Sequence, residues 1–170
     1  MRLAPLFSEE QVRSRVDALA AEIAAAPRKP DLALPILAGS FVFAADLLRA
    51  LARRGLVLPM EFIWLRSYGA AQEGGKVAVL VGPPDSLSGK AALLIDGVLD
   101  GGHTLAKARE MLLERGAAQV LIAVTVDKRR TDAVLKADYA AFTGVADFIV
   151  GYGMDDAGNG RGLPYIARLA

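Results

Sequence analysis

The chain has 170 residues, 54% of them hydrophobic and 23% charged, so it can bury a substantial core and lacks the composition of a disordered chain. A formal net charge of +1 leaves no electrostatic footprint for nucleic acid, and the absence of cysteine excludes disulfides and thiolate metal sites. No apolar run approaches the roughly 20 residues that span a bilayer, and acids follow the opening "MRLAPLF" too soon for a secretory signal; a cytoplasmic single domain over residues 1–170, without membrane partners, is expected.

In chain order, "SEEQVRSRVDALAAEIAAA" predicts an amphipathic helix. Ser8 and Gln11 form a capping-box pattern, and Val12, Val16, Leu19 and Ile23 recur at helical spacing. "RKPDL" breaks it. "LALPILAGS" reads as a buried strand ending in a small-residue turn, and "FVFAADLLRALARRG" as a helix that Gly55 is placed to end. "LPMEFIWLRSYG" is a second strand, "AAQEGG" a polar loop expected to be mobile, and "KVAVLVG" a short strand. "KAALLIDGV" is a strong apolar strand, followed by the helix "HTLAKAREMLLERG" with Gly116 at its end. "AQVLIAVTVDK", "ADYAAFTG" and "DFIVGYG" supply the remaining strands.

Strands alternating with helices argue for an α/β fold with a central, mostly parallel sheet flanked by helices. Ligands then sit beyond the carboxyl ends of the strands, here "LAGS", "RSYG", "DGVLDGGHT" and "VDKRR".

The stretch "LLIDGVLDGGHTL" admits two chemistries. An aspartyl-phosphate phosphatase needs a nucleophilic aspartate two residues before Asp96, and that position is Leu94, so this reading fails. A phosphate cradle survives: glycines between a buried strand and a helix expose backbone N–H groups at the positive end of a helix dipole. Thr104 adds a hydroxyl, and Asp96 and Asp100 can face hydroxyls or a hydrated Mg2+. An ordinary strand-to-helix connection with a solvated acid fits the same loop.

The same residues resemble the phosphoribosyl-pyrophosphate (PRPP) loop of type I phosphoribosyltransferases. "LPILAGSFVFAADLLRAL", "EFIWLRSYG", "VDK" with "ADYAAF", and "DFIVGYGMDD…RGLPYI" resemble the hypoxanthine-guanine branch of that family in order and spacing, from about Leu34 to Ile166. The resemblance implies the type I fold, with a small hood formed from the N-terminal segment and approximately residues 147–170. It implies purine salvage: transfer of the 5-phosphoribosyl group from PRPP to a 6-oxopurine with release of pyrophosphate, Mg2+ as cofactor, and a homodimer or homotetramer.

By the same resemblance Asp100 is the catalytic aspartate, placed beside the purine's imidazole edge to take or share a proton. Gly101, Gly102, His103 and Thr104 are the 5′-phosphate cradle, and Asp96 lies near ribose and metal. Ala38, Gly39 and Arg161 belong to the pyrophosphate side, and Ser67 and Tyr68 to a loop closing over the reacting centre. Lys128, Phe148, Ile149 and Asp155 face the purine, with Asp155 also near a second Mg2+. On the residues alone Asp100 reads equally as a helix cap, Lys128 as a solvated cation, Phe148 as a core aromatic, and Asp155 and Arg161 as surface charge.

Three positions depart from the family pattern. Gly97 stands where a second acid is usual, Gly101 where a hydroxyl residue is usual, and Ala38 where a lysine is common. Losing a charged hydrogen bond costs about 1.5–3 kcal/mol, so a weakened PRPP subsite is expected. The alternative function is a catalytically weak protein of this fold that binds a purine or nucleotide in a regulatory role.

Overall fold

The computed structural model describes residues 2–67 and 77–169; Tyr68 and the glycine-rich loop expected over residues 70–75 lie outside them. In chain order the elements are β1 (Leu3–Phe7), α1 (Glu9–Ala25), β2 (Leu32–Leu37), α2 (Phe41–Ala52), β3 (Ile63–Ser67), β4 (Val77–Val81), β5 (Ala91–Leu99), α3 (His103–Glu114), β6 (Gln119–Asp127), β7 (Tyr139–Thr143), β8 (Ile149–Val150) and β9 (Ile166–Leu169).

Six strands form one sheet in the order β4-β3-β2-β5-β6-β7. Its ladders are parallel except between β3 and β4, which pair antiparallel. β5 lies inside the sheet and is covered on both faces, which is why "AALLI" needs an unbroken apolar run rather than an alternating one. Pro35 sits within β2 at no loss of a ladder bond. Ala33, two residues earlier, bonds toward the β3 side through Pro59 and Glu61, and the β2–β3 ladder resumes only at Ile36.

The capping box forms as read: Gln11 N–H donates to Ser8 Oγ, and Ser8 N–H to the Gln11 side chain. Val12, Val16, Leu19 and Ile23 of α1 are buried against α2 and one face of the sheet. On the other face Leu105, Ala108 and Leu112 of α3 pack over Leu34, Ile63, Leu94 and Val124.

Strands β1 and β9 were not legible as strands. They pair antiparallel, β9 also pairs with β8, and together they form a three-stranded sheet that joins the two ends of the chain. Phe7 anchors it by stacking on Phe142 of β7, with ring centroids 3.9 Å apart. Beyond β8, the segment from Gly151 to Asp155 returns to the carboxyl ends of β2 and β5, where the polar residues gather.

Candidate active site

A cleft of about 910 Å³ opens at the carboxyl ends of β2, β3, β5 and β6. It brings together Ala38, Gly39, Asp96, Asp100, Gly101, Gly102, His103, Thr104, Lys128, Phe148, Ile149, Asp155 and Arg161, residues drawn from six separate stretches of sequence. Ser67 ends β3 beside this cleft's Arg66.

The floor is the turn between β5 and α3. Gly102 precedes α3 in the left-handed region, at φ 82°, and no side chain caps the helix. The N–H groups of its first turn are therefore left to whatever enters the cleft, the arrangement that favours an anion. The Gly101 carbonyl accepts from Val134 N–H at 3.0 Å, fixing the turn against the segment after β6.

Asp100 is not a helix cap. One of its oxygens lies 3.0 Å from Lys128 Nζ, and the other accepts from Arg130 Nη1 at 2.8 Å. Arg130 in turn grips Asp132 with Nε and Nη2, at 2.9 and 2.7 Å. Burial alone would raise the Asp100 pKa, but the hydrogen bonds and charges of Lys128 and Arg130 outweigh it and hold the carboxyl below the usual aspartate range. Lys128 is not a solvated cation either, because only 11% of its side chain is exposed. Phe148, by contrast, is 54% exposed with its ring at the cleft, which no core role explains.

Asp96 occupies the deep end of the cleft. Burial pushes its carboxyl up to about 7, opposed by a 2.7 Å hydrogen bond from Gly97 N–H to Oδ1. Across the cleft, Asp155 Oδ1 lies 2.7 Å from Arg161 Nη2, while its Oδ2 accepts from Gly158 N–H at 2.6 Å. Arg161 Nη1 also donates to the Gly153 carbonyl at 2.7 Å. Neither residue is loose surface charge. No group of three or more His, Cys, Asp or Glu placed to hold a metal ion occurs among the described residues.

The three departures from the family pattern differ physically. A Cβ on Gly97 would lie 3.0 Å from the Gly39 carbonyl oxygen and 3.3 Å from Met154 Cγ, so a side chain there requires the Gly39 backbone to give by a few tenths of an ångström. A Cβ on Gly101 would meet only the His103 ring, at 3.3 Å, and that ring is exposed and can turn. Ala38 lines the cleft near Arg161, whose Nη1 is 3.9 Å from a Cβ built on Gly39.

Sequence reasoning missed Arg130, and also Trp64, Arg66 and Met154 in the lining. Arg129, at φ 56°, ends the extended run after β6, so the spacing of Lys128 and Arg130 carried no strand signal for their shared contact with Asp100.

The profile of the phosphoribosyl transferase domain matches residues 6–157. The chain is 34% identical over 169 residues to the hypoxanthine-guanine phosphoribosyltransferase of Bacillus subtilis (strain 168), covering 96% of this chain and 91% of the relative. It is 33% identical over 168 residues to that of Dictyostelium discoideum, covering 96% and 93%. The solved hypoxanthine phosphoribosyltransferase from Trypanosoma cruzi, in complex with the product IMP, superposes with a TM-score of 0.86 at 33% identity, covering 98% of this chain and 93% of that one. The chain belongs to the hypoxanthine-guanine branch of the phosphoribosyl transferase family. No helix among the described residues is long and apolar enough to cross a membrane.

Proposed function

We propose that the cleft around Asp100 transfers the 5-phosphoribosyl group of PRPP to a 6-oxopurine of the hypoxanthine, guanine and xanthine class, giving the nucleoside monophosphate and pyrophosphate. The observation that carries this is the pairing of Asp100 with Lys128 inside a cleft that also presents uncapped helix N–H groups.

The free site is pre-charged. Lys128 is the donor for the purine's exocyclic oxygen, and moving onto it releases one oxygen of Asp100 toward the base's imidazole edge. Arg130 keeps the other oxygen, so Asp100 stays oriented and ionised. With its pKa held down, Asp100 acts chiefly as a fixed negative charge beside the cationic transition state, and as a proton acceptor only as the product forms. Phe148 stacks on the base, Ile149 offers backbone groups, and Gly101, Gly102, His103 and Thr104 hold the 5′-phosphate.

Asp96 offers one carboxylate where the metal-bearing substrate lies, and Asp155 is already committed to Arg161 and Gly158. This set fits a Mg2+ that arrives with the pyrophosphate, since Mg2+ keeps substrate and water ligands and needs few from protein. When bound it offsets the charge developing on the departing pyrophosphate. Gly39 and Arg161 line the path of that leaving group. Ser67 and Tyr68 belong to the segment proposed to close over the centre, and the β1-β9-β8 sheet is the proposed hood. The C-terminal region of the Trypanosoma cruzi relative bears on its oligomeric state and activity, and a homodimer or homotetramer is proposed here.

A Mg2+-dependent assay of PRPP with hypoxanthine, guanine, xanthine, adenine and uracil tests the reading. Pyrophosphate release with a 6-oxopurine and not with adenine is expected. Nucleotide binding without turnover would transfer support to the regulatory alternative, which the closed environment of Gly97 favours.

A further inference from the structure

Tyr152 lies on the reverse side of the cleft wall, and nothing in the transfer chemistry requires it. It is held at φ 50°, in the left-handed region, between Gly151 and Gly153 at φ 96° each. A non-glycine residue rests there only where its surroundings over-determine it. Here they do. A Cβ on Gly151 would meet the Tyr165 carbonyl oxygen at 2.1 Å, and one on Gly153 the Gly39 carbonyl oxygen at 2.5 Å, so both neighbours are pressed against backbone. Tyr152 N–H donates to Leu163 O at 2.8 Å, and Gly153 N–H to Arg161 O at 2.9 Å.

The side chain completes the constraint. Its ring is 4% exposed and tilts against Phe43, and its hydroxyl donates to Asp46 Oδ2 at 2.7 Å. Asp46 is on α2, five residues after Phe41, so this helix starts directly from the Ala38–Ser40 turn at the cleft. One hydrogen bond therefore ties the turn carrying Met154 and Asp155 to the helix whose start carries Ala38 and Gly39. Asp46 also pairs with Arg49. Tyr152 and Asp46 line a second cleft of about 810 Å³, and among the described residues Arg161 alone lines both clefts.

We infer that Tyr152 and Asp46 form a positioning strut, which sets the distance between the Gly153–Asp155 wall with its Arg161 and the Ala38–Gly39 turn, and so fixes substrate affinity without touching substrate. This rests on the transferase reading of the cleft. The strut acts on both walls that grip PRPP and base, while Asp100 is held independently by Lys128 and Arg130.

The test is a double-mutant cycle of Tyr152→Phe and Asp46→Ala, with Asp46→Asn as the conservative variant that keeps an oxygen acceptor. A hydrogen bond to a charged acceptor is worth about tenfold or more in an equilibrium constant, so Tyr152→Phe should raise KM for PRPP about tenfold with kcat within about twofold. Asp46→Ala should do the same, the double variant should be no worse than either, and Asp46→Asn should recover most of the loss. Trp64, the chain's single tryptophan, lines the cleft and reports IMP affinity by fluorescence, which should weaken in parallel. A fall in melting temperature with KM and IMP affinity unchanged would overturn the strut, as would multiplicative effects of the two substitutions. A wild-type protein that binds IMP but releases no pyrophosphate sinks the transferase reading alone, and the cycle is then read on IMP affinity. Absence of both turnover and IMP binding overturns both.

Discussion

The wall carrying Asp100, Lys128 and Arg130 is held by ion pairs, whereas at the floor Gly97 packs its backbone on that of Gly39. The two materials fail in opposite ways. Removing a side chain from the wall strands a largely buried charge, as at Lys128 with 11% exposure. Adding a side chain at Gly97 presses on the Gly39 main chain. Each departure from the family pattern thus has to be judged by what surrounds it, not by the chemical group it lacks.

The largest expected effect is on the wall. Asp100→Ala removes the negative charge beside the reacting centre and leaves Lys128 without its partner, so kcat should drop about 10²–10³-fold. Fluorescence titration with IMP should show affinity changed far less, because the phosphate cradle is untouched. Equal losses in kcat and in IMP affinity would mean that the wall mainly binds, and the contrast drawn above would fail.

On the floor, Gly97→Ala and Gly97→Asp test steric closure directly. A Cβ 3.0 Å from the Gly39 carbonyl oxygen and 3.3 Å from Met154 Cγ calls for main-chain movement. Overpacking of this kind costs about 1–3 kcal/mol, or roughly 3–10 °C in melting temperature for a domain of this size. Both variants should therefore melt lower and turn over more slowly, measured by calorimetry and the pyrophosphate assay. Restoring the family's acid should not restore function. A gain of activity in Gly97→Asp would show that the glycine is a lost ligand after all.

Arg130→Gln probes the wall more gently. Burial raises the Asp100 pKa and the hydrogen bonds from Lys128 and Arg130 lower it further than burial lifts it, so removing one of the two must move it up. The working form is the carboxylate, present above that pKa and lost below it. The acid limb of the kcat profile should consequently shift to higher pH, with the plateau reduced only severalfold. An unmoved limb would assign the titration to another group.

Much of this was legible in the sequence and some was not, for identifiable reasons. β5 and α3 announce themselves through an unbroken apolar run and a helical period, and the glycine turn between them follows from both. β1 and β9 carry no such signal, since "LAPLF" and "IARL" are short and become strands only by pairing with each other across the whole chain. Asp100, Lys128 and Phe148 were found through the motif they share with relatives. Arg130 and Tyr152 were not, because their roles depend on Asp100 and Asp46, partners distant in the chain whose proximity no local spacing encodes.

Gly101→Ser should produce the smallest change, and the opposite one to Gly97. Its φ lies outside the left-handed region, and the only neighbour a Cβ meets is the exposed His103 ring, at 3.3 Å from Cδ2 and 3.6 Å from Nε2. The ring can rotate away at little cost, leaving a hydroxyl beside the uncapped first turn of α3. The turn's backbone N–H groups already share the phosphate's charge, so one further donor contributes about 0.5–1.5 kcal/mol, and KM for PRPP should fall about two- to tenfold with the melting temperature nearly unchanged. A substitution that helps at Gly101 and one that harms at Gly97 would together establish that these two glycines, alike in sequence, stand for different things. One is a missing donor, and the other is a contact between main chains that must give to admit a side chain. If Gly101→Ser instead raises KM, the backbone N–H groups of the turn already fill the phosphate's coordination, and the cradle is complete without a hydroxyl.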